Sequence, residues 1–281
     1  MLHIRTRLFR HLANKLGLVP RRKVVASVLD RSYTVLRGSI RTDDYDDAWL
    51  LALGLHSKII FDIGCNIGQA SLLLLYSGKV QEIVLVDPNP EALAICAENL
   101  ILNSLSTIAR FVPAFVSEID DSKVEFFTVG AGAAGSVYRT HAVTASDVGS
   151  SMLVPTITLD SLADKLGVLP DLVKVDTEGA ERLVLKGATR IAHKQITSFM
   201  IEMHSNPELS MEANADTILS WCRDNAYKAW YLKEKAELKN TGQIKSRGRC
   251  HLLLLPEMKS FPSYLYPLDQ GAKLEQVQIC V

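Results

Sequence analysis

From residue 58 onward, short apolar runs alternate with stretches whose apolar positions recur at helical spacing. That alternation is the mark of an α/β fold, a parallel sheet covered by helices on both faces. The pattern predicts strands over 58–62, 82–87, 110–116, 171–176, 197–203, 227–232 and 250–255. It predicts helices over 69–76, 90–103, 161–166, 180–191 and 212–225. Residues 120–158 interrupt the rhythm. Two further strand patterns, 123–129 and 152–157, flank a Gly/Ala/Ser-rich stretch at 130–136 and predict an inserted hairpin or flap. The expected organisation is a basic extension with lead-in helices over 1–54, a main domain over 55–255, and a proline-containing tail over 256–281 that wraps it.

In the extension, Ile4, Leu8, Leu12 and Leu16 recur every four residues, with Phe9 beside them. Arg5, Arg7, Arg10 and Lys15 fall mostly off that stripe. This predicts an amphipathic helix ended by Gly17 and Pro20. No continuous apolar core follows the charges, so a secretory signal fits poorly. Three roles fit the arm: docking on the domain, peripheral contact of residues 1–23 with an anionic membrane, and mitochondrial import.

Charge sharpens this division. The 281 residues balance 31 Lys+Arg against 31 Asp+Glu, but residues 1–29 hold seven cations and no acid. The remainder therefore has 24 cations against 31 acids, a net −7. A mildly acidic body disfavours a nucleic-acid partner. With 48% hydrophobic residues the chain can bury a sizeable core, and no apolar run approaches the ~20 residues of a membrane span. Five cysteines without a CxxC pair predict neither a disulfide framework nor a zinc site, and suit a reducing, cytoplasmic setting.

The candidate chemistry begins where the first predicted strand meets its helix, at Phe61-Asp62-Ile63-Gly64-Cys65-Asn66-Ile67-Gly68-Gln69. Gly64 and Gly68 would let a ligand approach the backbone, and the helix start offers free N–H groups. A dinucleotide fingerprint needs glycine at relative positions 1, 3 and 6. Those positions hold Gly64, Asn66 and Gln69. Asp62 would also repel a pyrophosphate, yet it could pair with an ammonium group. Its structural alternative is a buried ion pair with Lys174. Asp87 closes the second strand, where a carboxylate can accept two ribose hydroxyls. Its alternative is a turn or N-cap role in Asp87-Pro88-Asn89-Pro90. Cys65 reads as a small loop filler, without a nearby histidine in sequence to activate it. Pro88, and Ala114 on the third predicted strand, join Asp62, Gly64, Cys65, Asn66, Gly68 and Asp87 as candidate cofactor-binding residues.

Asp171-Leu172-Val173-Lys174-Val175-Asp176-Thr177-Glu178-Gly179-Ala180-Glu181 is the most specific stretch. Lys174 and Asp176 share one face of a strand. A central parallel strand should be apolar on both faces, so charges there are costly unless paired or used. Glu178 falls near a helix start, where a carboxylate is favoured anyway. The next strand repeats the pattern, ending in Glu202 and His204 on one face. Lys174, Asp176, Glu178, Glu202 and His204 are the candidate catalytic residues.

These segments resemble the FkbM family of S-adenosylmethionine-dependent methyltransferases. The resemblance runs through 61–68, Thr158-Leu159-Asp160-Ser161-Leu162, 172–181 continuing into Val184-Leu185-Lys186-Gly187-Ala188, and Ile201-Glu202-Met203-His204. Cys65 departs from the alanine frequent there in the family. The resemblance implies a Rossmann-like class I methyltransferase fold, with seven mostly parallel strands, the last antiparallel. It implies S-adenosyl-L-methionine as cofactor and methyl transfer to a hydroxyl of a sugar, glycan or natural product.

In that reading Asp176, with Glu202 or His204, accepts the hydroxyl proton, and Lys174 holds the carboxylate. A divalent cation on Asp176 and Glu202 is a second-ranked variant. No compact metal motif supports it. An NAD(P)-dependent oxidoreductase and a non-catalytic binding protein of the same fold are the alternatives.

Overall fold

The computed structural model describes residues 22–40, 44–131, 135–244 and 248–279. The predicted helix over the basic arm lies outside the described residues. The lead-in is not helical throughout. Its first described elements are a hairpin of β1 (Lys23–Val28) and β2 (Arg31–Leu36), followed by helix α1 (Asp47–Leu55).

The main domain then alternates as the pattern requires. It runs β3 (Ile59–Ile63), α2 (Gln69–Leu74), β4 (Glu82–Val86), α3 (Pro90–Leu102) and β5 (Ala109–Val112). The flap region follows with β6 (Phe115–Val116), β7 (Lys123–Phe127), α4 (Val143–Asp147) and β8 (Ser151–Ile157). The second half has α5 (Leu159–Leu166), β9 (Leu172–Val175), α6 (Glu181–Lys186), α7 (Thr189–His193), β10 (Ser198–His204), α8 (Met211–Asp224), β11 (Tyr227–Tyr231), β12 (Ala236–Glu237) and β13 (Arg249–Pro256). The described tail includes a short helix, α9 (Glu275–Ile279).

The central sheet has the order β12-β11-β13-β10-β9-β3-β4-β5. β5, β4, β3, β9 and β10 are mutually parallel, and β13 runs antiparallel between β10 and β11. This is the expected seven-stranded arrangement plus one two-residue edge strand, β12. The strands are buried on both faces. Phe61, Val173 and Ile201 point into one core cluster, and Ile60, Leu172 and Met200 into the other. The tail completes the second cluster with Phe261, Leu265, Leu268 and Val277, and the Trp49 indole N–H donates to the Leu268 carbonyl at 3.2 Å.

Two predicted elements are divided, each for a local reason. The strand expected over 110–116 breaks at Pro113, which has no N–H to give to the ladder. Its second half leaves the central sheet and pairs with β8. The helix expected over 180–191 breaks near Gly187, where a Cβ would come within 2.2 Å of the Ser117 carbonyl oxygen. The Asp160 carboxylate then accepts from Arg190 N and Ile191 N, at 2.8 and 2.9 Å, and caps the first turn of α7.

The flap is a three-stranded sheet of order β6-β8-β7, with β7 and β8 antiparallel. It is tied to the domain by Asn89 Nδ2, which donates to Thr128 Oγ1 at 3.2 Å and to the Gly130 carbonyl at 2.8 Å.

Candidate active site

At the carboxyl ends of β3, β4, β9 and β10, two cavities share a wall. The first is lined by Asn66, Asp87, Pro88, Ala114 and Phe126, with Gly135 of the flap. The second is more polar and is lined by Asp44, Asp46, Lys174, Glu202 and Arg249, with Cys65. Gly64, Asn66, Asp176 and Glu178 line both.

In the first cavity Asp87 is buried, and its carboxylate accepts from Asn66 N at 2.9 Å and Asn89 N at 2.8 Å. Burial raises its pKa to about 6 despite those two N–H donors. Asp87 does not cap the following helix. Asn89 does, accepting from Glu91 N and Ala92 N, so the second lone pair on each Asp87 oxygen remains available to a ligand.

The glycines of the first loop serve packing first. A Cβ on Gly64 would sit 1.8 Å from the Asp176 carbonyl oxygen, and one on Gly68 would sit 2.7 Å from Cys96 Sγ. Gly68 lines neither of the two cavities. Asp62 lines neither as well. It is wholly buried, accepts from the Ser71 hydroxyl at 2.7 Å, and lies 3.4 Å from Lys174 Nζ. The structural alternative open to Asp62 is thus the contact it makes here. Cys65 is buried, and desolvation holds its thiol well above the ordinary range, which leaves it protonated and unreactive.

Lys174 is the hub between strands. β3 and β9 set Asp62 opposite it in register. Its Nζ reaches Gly64 O and Asp176 Oδ2 at 3.3 Å each. Burial opposes its charge, but Asp62 and Asp176 more than offset that and hold the ammonium firmly protonated. Asp176 keeps one oxygen, Oδ1, buried and without a hydrogen-bond partner. Burial raises the Asp176 pKa to about 7 against the lowering charge of Lys174.

Glu178 follows in the left-handed region (φ 52), in a turn that directs it inward beside Gly179 (φ 102). Its carboxylate meets His141 Nε2 of the flap and lies 3.5 Å from His204 Nε2. Ser136 Oγ of the flap donates to the Glu178 carbonyl at 2.8 Å. His204 sits between Glu181 Oε1 at 3.2 Å and Glu202 Oε1 at 3.4 Å. Burial opposes its charge, yet those carboxylates raise its pKa to about 11. His204 therefore stays an imidazolium near neutrality and is a charge partner rather than a base. Glu202 is also held by Arg249 Nη1 at 2.8 Å, and His204 and His251 keep it ionised well below the usual carboxylate range against the cost of burial.

The structure thus brings the five candidate catalytic residues into one network of contacts, with Lys174, Asp176, Glu178 and Glu202 lining the second cavity and His204 behind them, and links five more residues to it: Asp46, His141, Glu181, Arg249 and His251. Glu181 is fully buried, accepting from Gly179 N at 2.8 Å and Asn214 Nδ2 at 3.1 Å. Its place in the 174–181 motif was a signal for it. His251 also broke an apolar strand run. His141, on a turn of the flap, had no local signal.

A family model described as the methyltransferase FkbM domain matches residues 62–229. Among solved structures, the chain is similar to the methyltransferase FkbM from Methylobacillus flagellatus KT, at 15% identity and a TM-score of 0.45. That alignment covers 70% of this chain and 43% of the other, so the chain spans under half the length of that relative. It is also similar to TYW2 from P. horikoshii in complex with MeSAdo (13% identity, 88% and 80% covered, TM-score 0.46) and to cofactor-bound Rv0187 from MTB (13%, 80% and 84%, 0.45). No curated protein matches the chain. The domain match covers more than half of the sequence and includes both motifs that line the shared wall: the chain belongs to the FkbM methyltransferase family.

Proposed function

We propose that the protein transfers a methyl group from S-adenosyl-L-methionine to a hydroxyl oxygen of a sugar, glycan or other small natural product. The observation that carries this reading is the wall shared by the two cavities. A transferase must bring donor and acceptor together across one reacting atom, and Asp176 borders both spaces.

The first cavity takes the cofactor, with Asp87 accepting the ribose hydroxyls and Asn66, Pro88 and Ala114 beside it. The second takes the acceptor. Asp176 is the general base. A pKa near neutrality suits it to receive the hydroxyl proton at the pH where it works. The hydroxyl oxygen attacks the methyl carbon in line as the carbon–sulfur bond breaks. The proton passes to Asp176, and S-adenosylhomocysteine leaves. Lys174 positions the Asp176 carboxylate. Glu178 and Glu202, held by His141, His204 and Arg249, accept hydrogen bonds from the acceptor's other hydroxyls. Asp62 acts through Lys174, as a positioning residue rather than a cofactor ligand.

The test pairs calorimetry with turnover on a panel of hydroxyl acceptors. Asp176→Asn is expected to bind S-adenosylhomocysteine as the parent does and to lose about 10²–10⁴-fold in kcat. Turnover surviving in that variant removes Asp176 as the base. A parent chain that does not bind S-adenosylhomocysteine ends the methyl-transfer reading.

A further inference from the structure

At the edge of the second cavity, which Asp46 and Glu202 line, is a group of side chains that proton transfer by Asp176 does not require. One carboxylate oxygen of Asp46, one of Glu202 and a ring nitrogen of His251 all lie within 4.8 Å of one another. They come from three elements. Asp46 is the N-cap of α1, Glu202 is on β10, and His251 faces Glu202 in the antiparallel register of β13. Relative exposures are 7%, 7% and 2%, so all three are more than nine-tenths buried.

The three groups attract one another by charge, but two features show that no hydrogen bond closes the cluster. His251 Nε2 has no hydrogen-bond partner. It lies 3.6 Å from Asp46 Oδ2 and 3.7 Å from Glu202 Oε2, beyond hydrogen-bond length. Two ligands of one cation with bonds of roughly 2.0–2.4 Å stand up to ~4.8 Å apart, which accommodates all three atoms. Asp46, in addition, occupies an N-cap position without making a side-chain cap, although an aspartate there ordinarily does. Its carboxylate is turned to the cluster instead. The surroundings fix the set. Arg249 takes Glu202 Oε1 at 2.8 Å and leaves Oε2 for the cluster, while Trp49 meets the His251 ring edge to face at 5.5 Å.

We propose that Asp46, Glu202 and His251 form a three-ligand site for a divalent first-row cation of the manganese or zinc type. One imidazole and two carboxylates suit that class better than calcium or magnesium, which favour oxygen alone. Asp46 and Glu202 line the acceptor cavity, so the remaining coordination positions open toward the acceptor. The cation's role rests on the methyl-transfer reading: it binds the acceptor hydroxyl oxygen and loosens the proton that Asp176 then receives. The site itself does not depend on that reading.

The full chain, stripped with a chelator, is titrated with Mn2+ and examined by electron spin-echo modulation. One bound Mn2+ per chain is expected, with modulation from a directly ligating nitrogen. Asp46→Asn should weaken binding at least about tenfold. His251→Gln should abolish the nitrogen signal. Sub-stoichiometric binding, or no ligand nitrogen in the parent chain, overturns the site without requiring any variant to fold. A nitrogen signal that persists in His251→Gln overturns the ligand set. S-adenosylhomocysteine is titrated into the same samples. Cofactor binding without Mn2+ binding rejects the metal site alone, and Mn2+ binding without cofactor binding rejects the methyl-transfer reading alone.

Discussion

At the residue scale, two buried charges carry opposite duties. Asp87, the proposed ribose ligand, faces the first cavity, and its pKa of about 6 makes its charge sensitive to mild acid. Only the ionised form accepts from both ribose hydroxyls, so affinity for S-adenosylhomocysteine should fall as pH drops through 6. Calorimetry across pH 5–8 checks this, and Asp87→Ala should weaken binding and flatten the profile. Unchanged affinity in that variant removes the ribose assignment. Lys174 is the reverse case, a cation whose value is to neutralise its neighbours. Lys174→Met leaves Asp62 charged, 0% exposed and without its counterion. Breaking a buried pair in this way costs about 3–5 kcal/mol, and denaturant unfolding should show it as a lower midpoint.

At the element scale, the site is made by strand ends brought within contact of one another. β3 and β9 pass so closely that the Gly64 backbone lies on the Asp176 carbonyl, with Gly64 itself at φ 80. Gly64→Ala therefore meets both a steric clash and a disfavoured φ. It should destabilise the fold by more than about 2 kcal/mol and lower the Tm by about 5 °C or more. Equal melting of the variant and the parent would show that the two strands separate more easily than this packing implies. The divided elements follow the same logic. Pro113 and Gly187 were visible as residues, but what each divides depended on a distant partner, β8 in one case and Ser117 in the other. The flap is likewise an element whose presence was legible and whose contact was not. The 120–158 interruption marked it, and only its docking brings Ser136 and His141 onto Glu178.

At the scale of the whole molecule, the tail is part of the core. Phe261, Leu265, Leu268 and Val277 are buried against α1 and the sheet. Burying one such side chain contributes roughly 1.5–3 kcal/mol, so four together rival the ~5–15 kcal/mol stability of a whole protein. A chain ending at residue 258 should not fold cooperatively. Thermal unfolding and soluble yield would show it, and a sharp transition near the parent's would contradict it. The same tail supports α1, and α1 places Asp46 in the second cavity. The far end of the chain thus supports one edge of the second cavity, the proposed acceptor space.

The amino-acid sequence alone determined the alternation of strands and helices, the two motifs at 61–69 and 171–181, and the charged ends at Asp87, Glu202 and His204. Each is a local pattern, and local patterns follow from side-chain periodicity and turn chemistry. The tertiary structure decided which of those charges meet. It paired Asp62 with Lys174, made His204 an imidazolium between Glu181 and Glu202, and set Asp176 on a wall between two cavities. It also brought in His141, Arg249, His251 and Asp46 from a flap, a late strand and an early helix. Cross-strand register and helix docking depend on the packing of the whole core, and that information is spread over the chain rather than written at any one position.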